Sequence, residues 1–418
     1  MTTSRSSNHE YRSLDRRRWL QATSGGFFTL AWRLGLAPCL AHAPTGKARH
    51  CIVLWMAGGP SQFETFDPKP GTETGGECRS IGTSVPGIRI SEFLPRMAER
   101  AKDVTILRCI ESPEGEHVRA EYYLHTGYRN VPAFPRPPLG AMVAHDRGRD
   151  AIPHYVTLGG GGISPAFLGS ENAPFEIDEP AAMRKLLEKI SVRRRRIGLL
   201  QAFDRSFTAR RADSFTATRQ SRVEQIVAMA QTRFAEALDE SREPEAMRRR
   251  YGDHAFARRC LVARRLIEAG VAFVEVRLDG WDTHADNHRQ TGRLCQSLDQ
   301  PWSALLQDLS ASGLLDETIV VWMGEFGRTP AINARRGRDH YPQSTPVVLA
   351  GGKIGRGNVV GTTDRTGTEL AGPRHGVADL IATILDQMGI APDTEYTTGF
   401  GSPTRATDDG TPIADALG

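Results

Sequence analysis

The chain reads as an α/β domain: a mostly parallel sheet covered by helices on both faces, with a helical insert. Three observations predict this. Short apolar runs rich in β-branched residues recur without polar alternation, as strands buried on both faces require. Helical patterns lie between them, in the order that parallel strands need for their crossovers. Gly and Pro punctuate the junctions, as after the first run at Gly58-Gly59-Pro60.

The strand-like runs are 50–56 (HCIVLWM), 104–107, 155–158, 271–276, 318–322 and 347–350. Helical patterns cover 255–269, 293–309 and 377–388. The stretch 180–250 differs, being long, charged and helical, and reads as an inserted cap or arm. Pro and Gly gather at 131–138 and 159–165, marking surface loops that rim a site.

The N-terminus reads as an address. Residues 15–21, DRRRWLQ, match the twin-arginine pattern. A Gly-, Ala- and Leu-rich stretch follows from 22 to 40 and ends in the small-x-small site Ala41-His42-Ala43. Arg33 within that stretch argues against a membrane span, and Pro38 beside Cys39 argues against a lipoprotein box. The plainer alternative is an amphipathic first helix. The expectation is a signal peptide over 1–43, a single domain over 44–418, and export to the periplasm or beyond. No later segment is long and apolar enough to span a bilayer.

Charge placement excludes one class of partner. The net charge is only +4, and arginine crowds the N-terminus and the region near Arg193–Arg196 without interleaved aromatics. Nucleic-acid binding therefore has no footprint. A solvated helical face explains the basic run, and docking of an anionic polymer or a protein partner on the insert is the functional alternative. The six cysteines show no CxxC pair and no metal-ligand spacing. Removing Cys39 with the signal leaves an odd five, against a full disulfide framework.

In a parallel sheet, ligands bind beyond the carboxyl ends of the strands. After the run 271–276 come Asp279, Asp282, His284, Asp286 and His288. After 318–322 come Glu325 and Arg328, and His340 follows in Gly337-Arg338-Asp339-His340. His375 precedes the last long helix, His117 opens the helix running to Thr126, and the loop after the first strand offers Ser61, Glu64 and Asp67. Carboxylates and imidazoles gathered from several strand ends are the residue types that hold a divalent metal. Singly, each has a structural alternative. Asp282 is a good helix cap, Glu325 and Arg328 a good ion pair, His340 a hydrogen-bonded loop residue, and Asp67 before Pro68 a turn residue.

The strings LWMAGGPSQFETFDPKPG, YGDHAFARRCLVARRLIEAGVAFVEV, GWDTHADN, GEFGRTP, GRDHYP and TTDRTG carry a resemblance over about 50–395. They resemble a twin-arginine-exported bacterial family without an established activity, within the alkaline phosphatase-like (sulfatase-like) superfamily. The resemblance implies that superfamily's fold and a chemistry using one or two divalent metals and an activated nucleophile. It lays Glu325 on a metal-binding Asp, Phe326 on a lost His that His340 replaces, and His117 on the nucleophile. Gly58-Gly59 stands where the first strand ordinarily ends in a metal-binding Asp, so Glu64 or Asp67 replaces it from the loop. GPRHGVADLIATILDQMGI resembles the helix near the end of the superfamily core, with His375 at its start.

The resulting expectation is an exported metal-dependent hydrolase of a phosphate or sulfate ester, small or polymeric. Asp282, His284, Glu325, His340 and His375 are the metal set, and His117 is nucleophile or acid/base. Arg328 and Arg338 clamp the anion with their planar forks. Mixed carboxylate and imidazole ligands favour Zn, Mn or Fe over Ca. The alternatives are an exported binding protein that uses the same pocket without turnover, and a purely structural role for these residues.

Overall fold

The computed structural model describes residues 45–192 and 226–418. The segment 1–43 expected to be a signal peptide and the arginines at 193–196 lie outside the described residues. Nine described strands form the central sheet. They are β1 (His50–Ala57), β2 (Val104–Glu111), β3 (Tyr155–Leu158), β4 (Phe175–Ile177), β5 (Phe273–Asp279), β6 (Thr318–Met323), β7 (Thr345–Ala350), β8 (Asn358–Val360) and β9 (His375–Gly376). Their order is β8-β2-β7-β6-β1-β5-β3-β4, with β9 also pairing with β2.

All pairings are parallel except those of β7, which runs antiparallel to both β6 and β2. The reason lies in its connection. The segment from β6 to β7 contains no crossover helix and stays beyond the carboxyl end of β6, so the chain re-enters the sheet from that side. The segment that supplies His340 is thus held over the same edge as the ends of β1, β5 and β6.

Residues 51–56 of β1 are at most 1% exposed, which explains the unbroken apolar run. Ile52, Leu54 and Met56 face a core shared with helices Ala255–Glu268 and Asn287–Ala311. Cys51, Val53 and Trp55 face a second core with helices Leu139–Arg147 and Val377–Gln387. Each fully buried Leu, Ile or Val contributes about 1.5–3 kcal/mol. The α/β reading and the sequence-derived strands hold to within a few residues. β4, β8 and β9 were not anticipated, because segments of two or three residues carry no period.

The insert at 180–250 is helical where it is described, with helices at Pro180–Val192, Arg233–Ala237 and Glu245–Tyr251. Leu187, Phe234, Leu238 and Tyr251 are buried in the first core, so its flanks belong to the domain. The five described cysteines are buried and free of disulfides. No described helix is long and apolar enough to cross a membrane.

The turn after β1 governs how closely the site elements meet. Gly58 has φ of +114°, and a Cβ there would lie 2.3 Å from the backbone nitrogen of Asp282. Gly58→Ala is expected to cost roughly 2–3 kcal/mol through strain and collision. Its denaturant midpoint should fall. A midpoint equal to that of the parent would show that the β1 turn does not press on the Asp282 loop.

Candidate metal centre

The ends of the three central strands supply the frame. β5 leads through Gly280 to Trp281, whose backbone N–H donates to the Ala57 carbonyl at 3.1 Å and whose indole is fully buried. That anchor holds Asp282 and His284 over the end of β1. β6 leads to Glu325 and the buried Phe326, then to a two-residue ladder in which Arg328 pairs with His340. The intervening loop folds back against the Asp282 loop. The Arg338 N–H donates to the Thr283 carbonyl at 3.1 Å, and a Cβ on Gly337 would lie 2.0 Å from the His284 carbonyl carbon. Helix His117–Thr126 follows β2 and brings His117 in as its first residue, with the Glu116 carboxylate capping the N–H groups of Val118 and Arg119.

Four side chains from these elements converge. Asp282 Oδ1 lies 3.0 Å from His284 Nε2, 3.3 Å from His340 Nε2 and 3.4 Å from His117 Nε2. The Nε2 atoms of His284 and His340 are 3.0 Å apart. Each histidine is tied down at its other nitrogen. His117 Nδ1 meets Glu325 Oε1, His284 Nδ1 meets Asp339 Oδ1 and His340 Nδ1 meets the Gly115 carbonyl, all at 2.8 Å. Carbonyls and ionised carboxylates only accept, so each Nδ1 carries the hydrogen, and in a neutral ring Nε2 turns its lone pair inward. Three inward lone pairs around a carboxylate oxygen require positive charge between them, from protons or from a cation.

The donor set fits a divalent transition metal. Ligand atoms about 2.0–2.2 Å from one centre, at angles of roughly 90–110°, stand about 3.0–3.4 Å apart, the spacing of Asp282 Oδ1 from each imidazole and of His284 from His340. His117, Asp282 and His340 offer ligand atoms all within 4.8 Å of one another, and His284 adjoins them through Asp282 and His340. Locking each ligating imidazole through its second nitrogen is the usual arrangement around such an ion. The cluster is not sealed, since Asp282 is 45% and His117 34% exposed.

Electrostatics follow the contacts. The hydrogen bond that His117 donates to Glu325 raises its pKa above the ordinary value, against the opposing effect of burial. Burial lowers that of His340. For Asp282, burial opposes ionisation, and the hydrogen bond and charge of Arg328 overcome it, holding the carboxyl below its usual range.

Residues 48–417 match the family model described as Protein of unknown function (DUF1501). The chain belongs to the DUF1501 family. No curated protein matches it in sequence. Among solved structures it is similar to the lipoteichoic acid synthase LtaP from Listeria monocytogenes, at 10% identity and TM-score 0.42, covering 90% of this chain and 78% of that one. It is also similar to an alkaline phosphatase superfamily protein from Vibrio parahaemolyticus, at 12% identity and TM-score 0.37, covering 85% and 71%. A third is a putative sulfatase from Bacteroides thetaiotaomicron, at 12% identity and TM-score 0.42, covering 89% and 74%. Likenesses this distant carry no reaction or substrate over, so the chemistry rests on the residues.

In this DUF1501 chain the structure brings together Asp282, His284, His340 and His117. Glu325 sits one step back, binding His117 and the Gly58 N–H at 2.8 Å each, so it orients a ligand instead of joining the converging atoms. His375 lies beyond β2, four strand positions from β1, on the order of 19 Å at about 4.8 Å per strand. It heads the helix after β9 and cannot share this ion.

The loop after β1 supplies no ligand either. The Glu64 carboxylate is buried against Arg338, and Asp67 is buried against Lys69, Arg108 and Thr363. All five Arg338 donors are used, on Glu64 and on the carbonyls of Thr74, Thr329 and Pro330, so it is no anion clamp. Arg328 is fully buried and turned inward, donating to Asp282 Oδ1 at 2.6 Å and to the carbonyls of Gly58, Gly59 and Arg338. Sequence reasoning missed Asp339, although its place beside His340 in GRDH was the available signal. It also missed the Gly115 carbonyl, which no side-chain pattern reveals.

Metal binding at this centre is expected to climb with pH, because a protonated imidazole must lose its proton before it can ligate. The His117 pKa is raised by Glu325, so zinc affinity should keep climbing above the ordinary imidazole range before it levels off. Glu325→Gln weakens the raising hydrogen bond and should move that climb to lower pH. Chelator-competition titrations at several pH values measure it, and superimposable profiles would contradict the assignment.

Proposed function

We propose that this DUF1501 protein is an exported metal-dependent hydrolase of a phosphate or sulfate ester, with the fold organisation of the alkaline phosphatase-like superfamily. One observation carries the reading: three histidines, each locked at Nδ1, direct Nε2 at one carboxylate oxygen on the solvent-open edge of the sheet. Asp282, His284 and His340 would hold the ion, and His117 would add a fourth ligand, the third nitrogen, from the neighbouring helix. Zinc, manganese or iron suits such a mixed imidazole and carboxylate set better than calcium. When bound, the ion supplies a Lewis acid for the ester oxygens.

The remaining roles fall to the chain. Glu325 on Nδ1 fixes the plane of the His117 ring and increases the basicity of the nitrogen turned toward the ion. Phe326 lies stacked 4.4 Å from His340 and tilted 5.1 Å from His117, forming an apolar floor that fixes both rings. Direct attack by water needs no Ser or Thr nucleophile, in keeping with a histidine at the head of the helix. Export through the twin-arginine route, which carries folded proteins, agrees with a centre loaded before transport.

The test is metal content together with hydrolysis of 4-nitrophenyl phosphate and 4-nitrophenyl sulfate. The purified protein should hold about one transition-metal ion, and His284→Ala should lose both metal and turnover. His117→Ala should bind the ion about tenfold more weakly, and hydrolysis should fall with it. Metal without turnover of either ester class would favour the binding-protein reading. Absence of metal after exposure to zinc, manganese and iron would remove the reading altogether.

A further inference from the structure

Glu275 lies in the middle of β5, between Val53 of β1 and Thr157 of β3 in register, and is 0% exposed. Its Oε2 meets His125 Nε2 at 3.0 Å, while its Oε1 has no partner, nor does the neighbouring Thr157 Oγ1. His125 is equally buried, its Nδ1 bonded to the Glu121 carbonyl at 2.7 Å and its ring 4.3 Å from that of Trp55. Nδ1 donates to the Glu121 carbonyl, so the contact between Nε2 and Oε2 holds a second proton between the two groups. Burial works against charge on His125, and Glu275 raises its pKa in spite of that.

A half-satisfied polar pair in a sheet core is a poor stabiliser. Well-packed apolar residues of similar volume usually do as well or better. Consistency between local choice and fold fails mainly where function demands it.

The helix that carries His125 shows what the pair does. Helix His117–Thr126 buries only Ala120, Leu124, His125 and Thr126, so its apolar grip on the sheet is slight. Two directional contacts with β5 supplement it: His125 with Glu275 at its last turn, and Glu121 with Arg277 Nη1 at 2.6 Å near its middle. β5 is also the strand that runs out into Asp282 and His284. One strand therefore fixes the helix bearing His117 and launches the loop bearing two of its partners. Apolar packing tolerates sliding by fractions of an ångström, whereas a buried hydrogen-bonded pair does not.

We propose that His125 and Glu275 are positioning residues for the metal centre, holding the helix in the register that sets His117 Nε2 against Asp282. The inference rests on the reading of His117 as a member of that centre. The experiment is zinc titration of metal-stripped full-length protein against a chromophoric chelator, with thermal unfolding measured alongside. The double variant His125→Leu/Glu275→Leu should unfold no earlier than the parent yet bind zinc about tenfold more weakly, the lower range for loss of outer-shell support. In a His117→Ala background the same double change should cost nothing further, because it acts through His117. If the apolar pair does not fold, Glu275→Gln carries the same comparison.

Unchanged zinc affinity in the folded variants would overturn the inference, as would a tenfold loss that persists without His117. A parent protein that binds no zinc, manganese or iron would overturn the metal reading itself, a separate outcome.

Discussion

The guanidinium of Arg328 is the joint on which the carboxyl edge of the sheet is assembled. It is wholly buried, and it reaches the carbonyls of Gly58 and Gly59 after β1, the carboxylate of Asp282 after β5, and the carbonyl of Arg338 in the loop before β7. A buried cation is tolerated only when its donors are satisfied, so three separate chain segments must come to this one group. Gly58 permits the approach, because any side chain there would strike the Asp282 backbone. The ladder between Arg328 and His340 then carries His340 to the same point. Arg328 is thus the scaffold of this edge and not a clamp for an anion.

Charge follows from that scaffold. Arg328 offsets the Asp282 carboxylate, and the three imidazoles are neutral when their Nε2 lone pairs face inward. A divalent ion placed among them would keep most of its charge, which suits an anionic ligand and a Lewis acid. Glu325 and Asp339 support the imidazoles from behind, through Nδ1, without neutralising the centre directly. Separation between ligands that converge and carboxylates that orient them is the ordinary economy of metal sites.

The fold was legible because buried parallel strands leave unbroken apolar runs, as CIVLWM does, and because the residues after those runs fall at one edge. Asp282, His284 and His340 were found by that rule, and His117 by its place at the head of a helix. Residue type did not reveal which polar groups turn inward. Arg338 and Glu64 carry functional chemistry but satisfy one another in the interior, and Asp67 is consumed by Lys69, Arg108 and Thr363. His375 was picked for its place before a helix, but it lies within β9 at the far side of β2, a matter of sheet order that spacing along the chain does not encode. Glu275 was visible as a carboxylate within the apolar run VAFVEV, and its meaning emerged only once His125 was seen opposite.

The central claim is that three histidines and Asp282 form one metal centre. X-ray absorption at the metal edge of the zinc-loaded protein tests it most directly. The account predicts a first shell of N and O atoms at about 2.0–2.1 Å with imidazole scattering from two or three rings, reduced by one ring in His340→Ala. An oxygen-only shell, or a spectrum unchanged by that substitution, would contradict it.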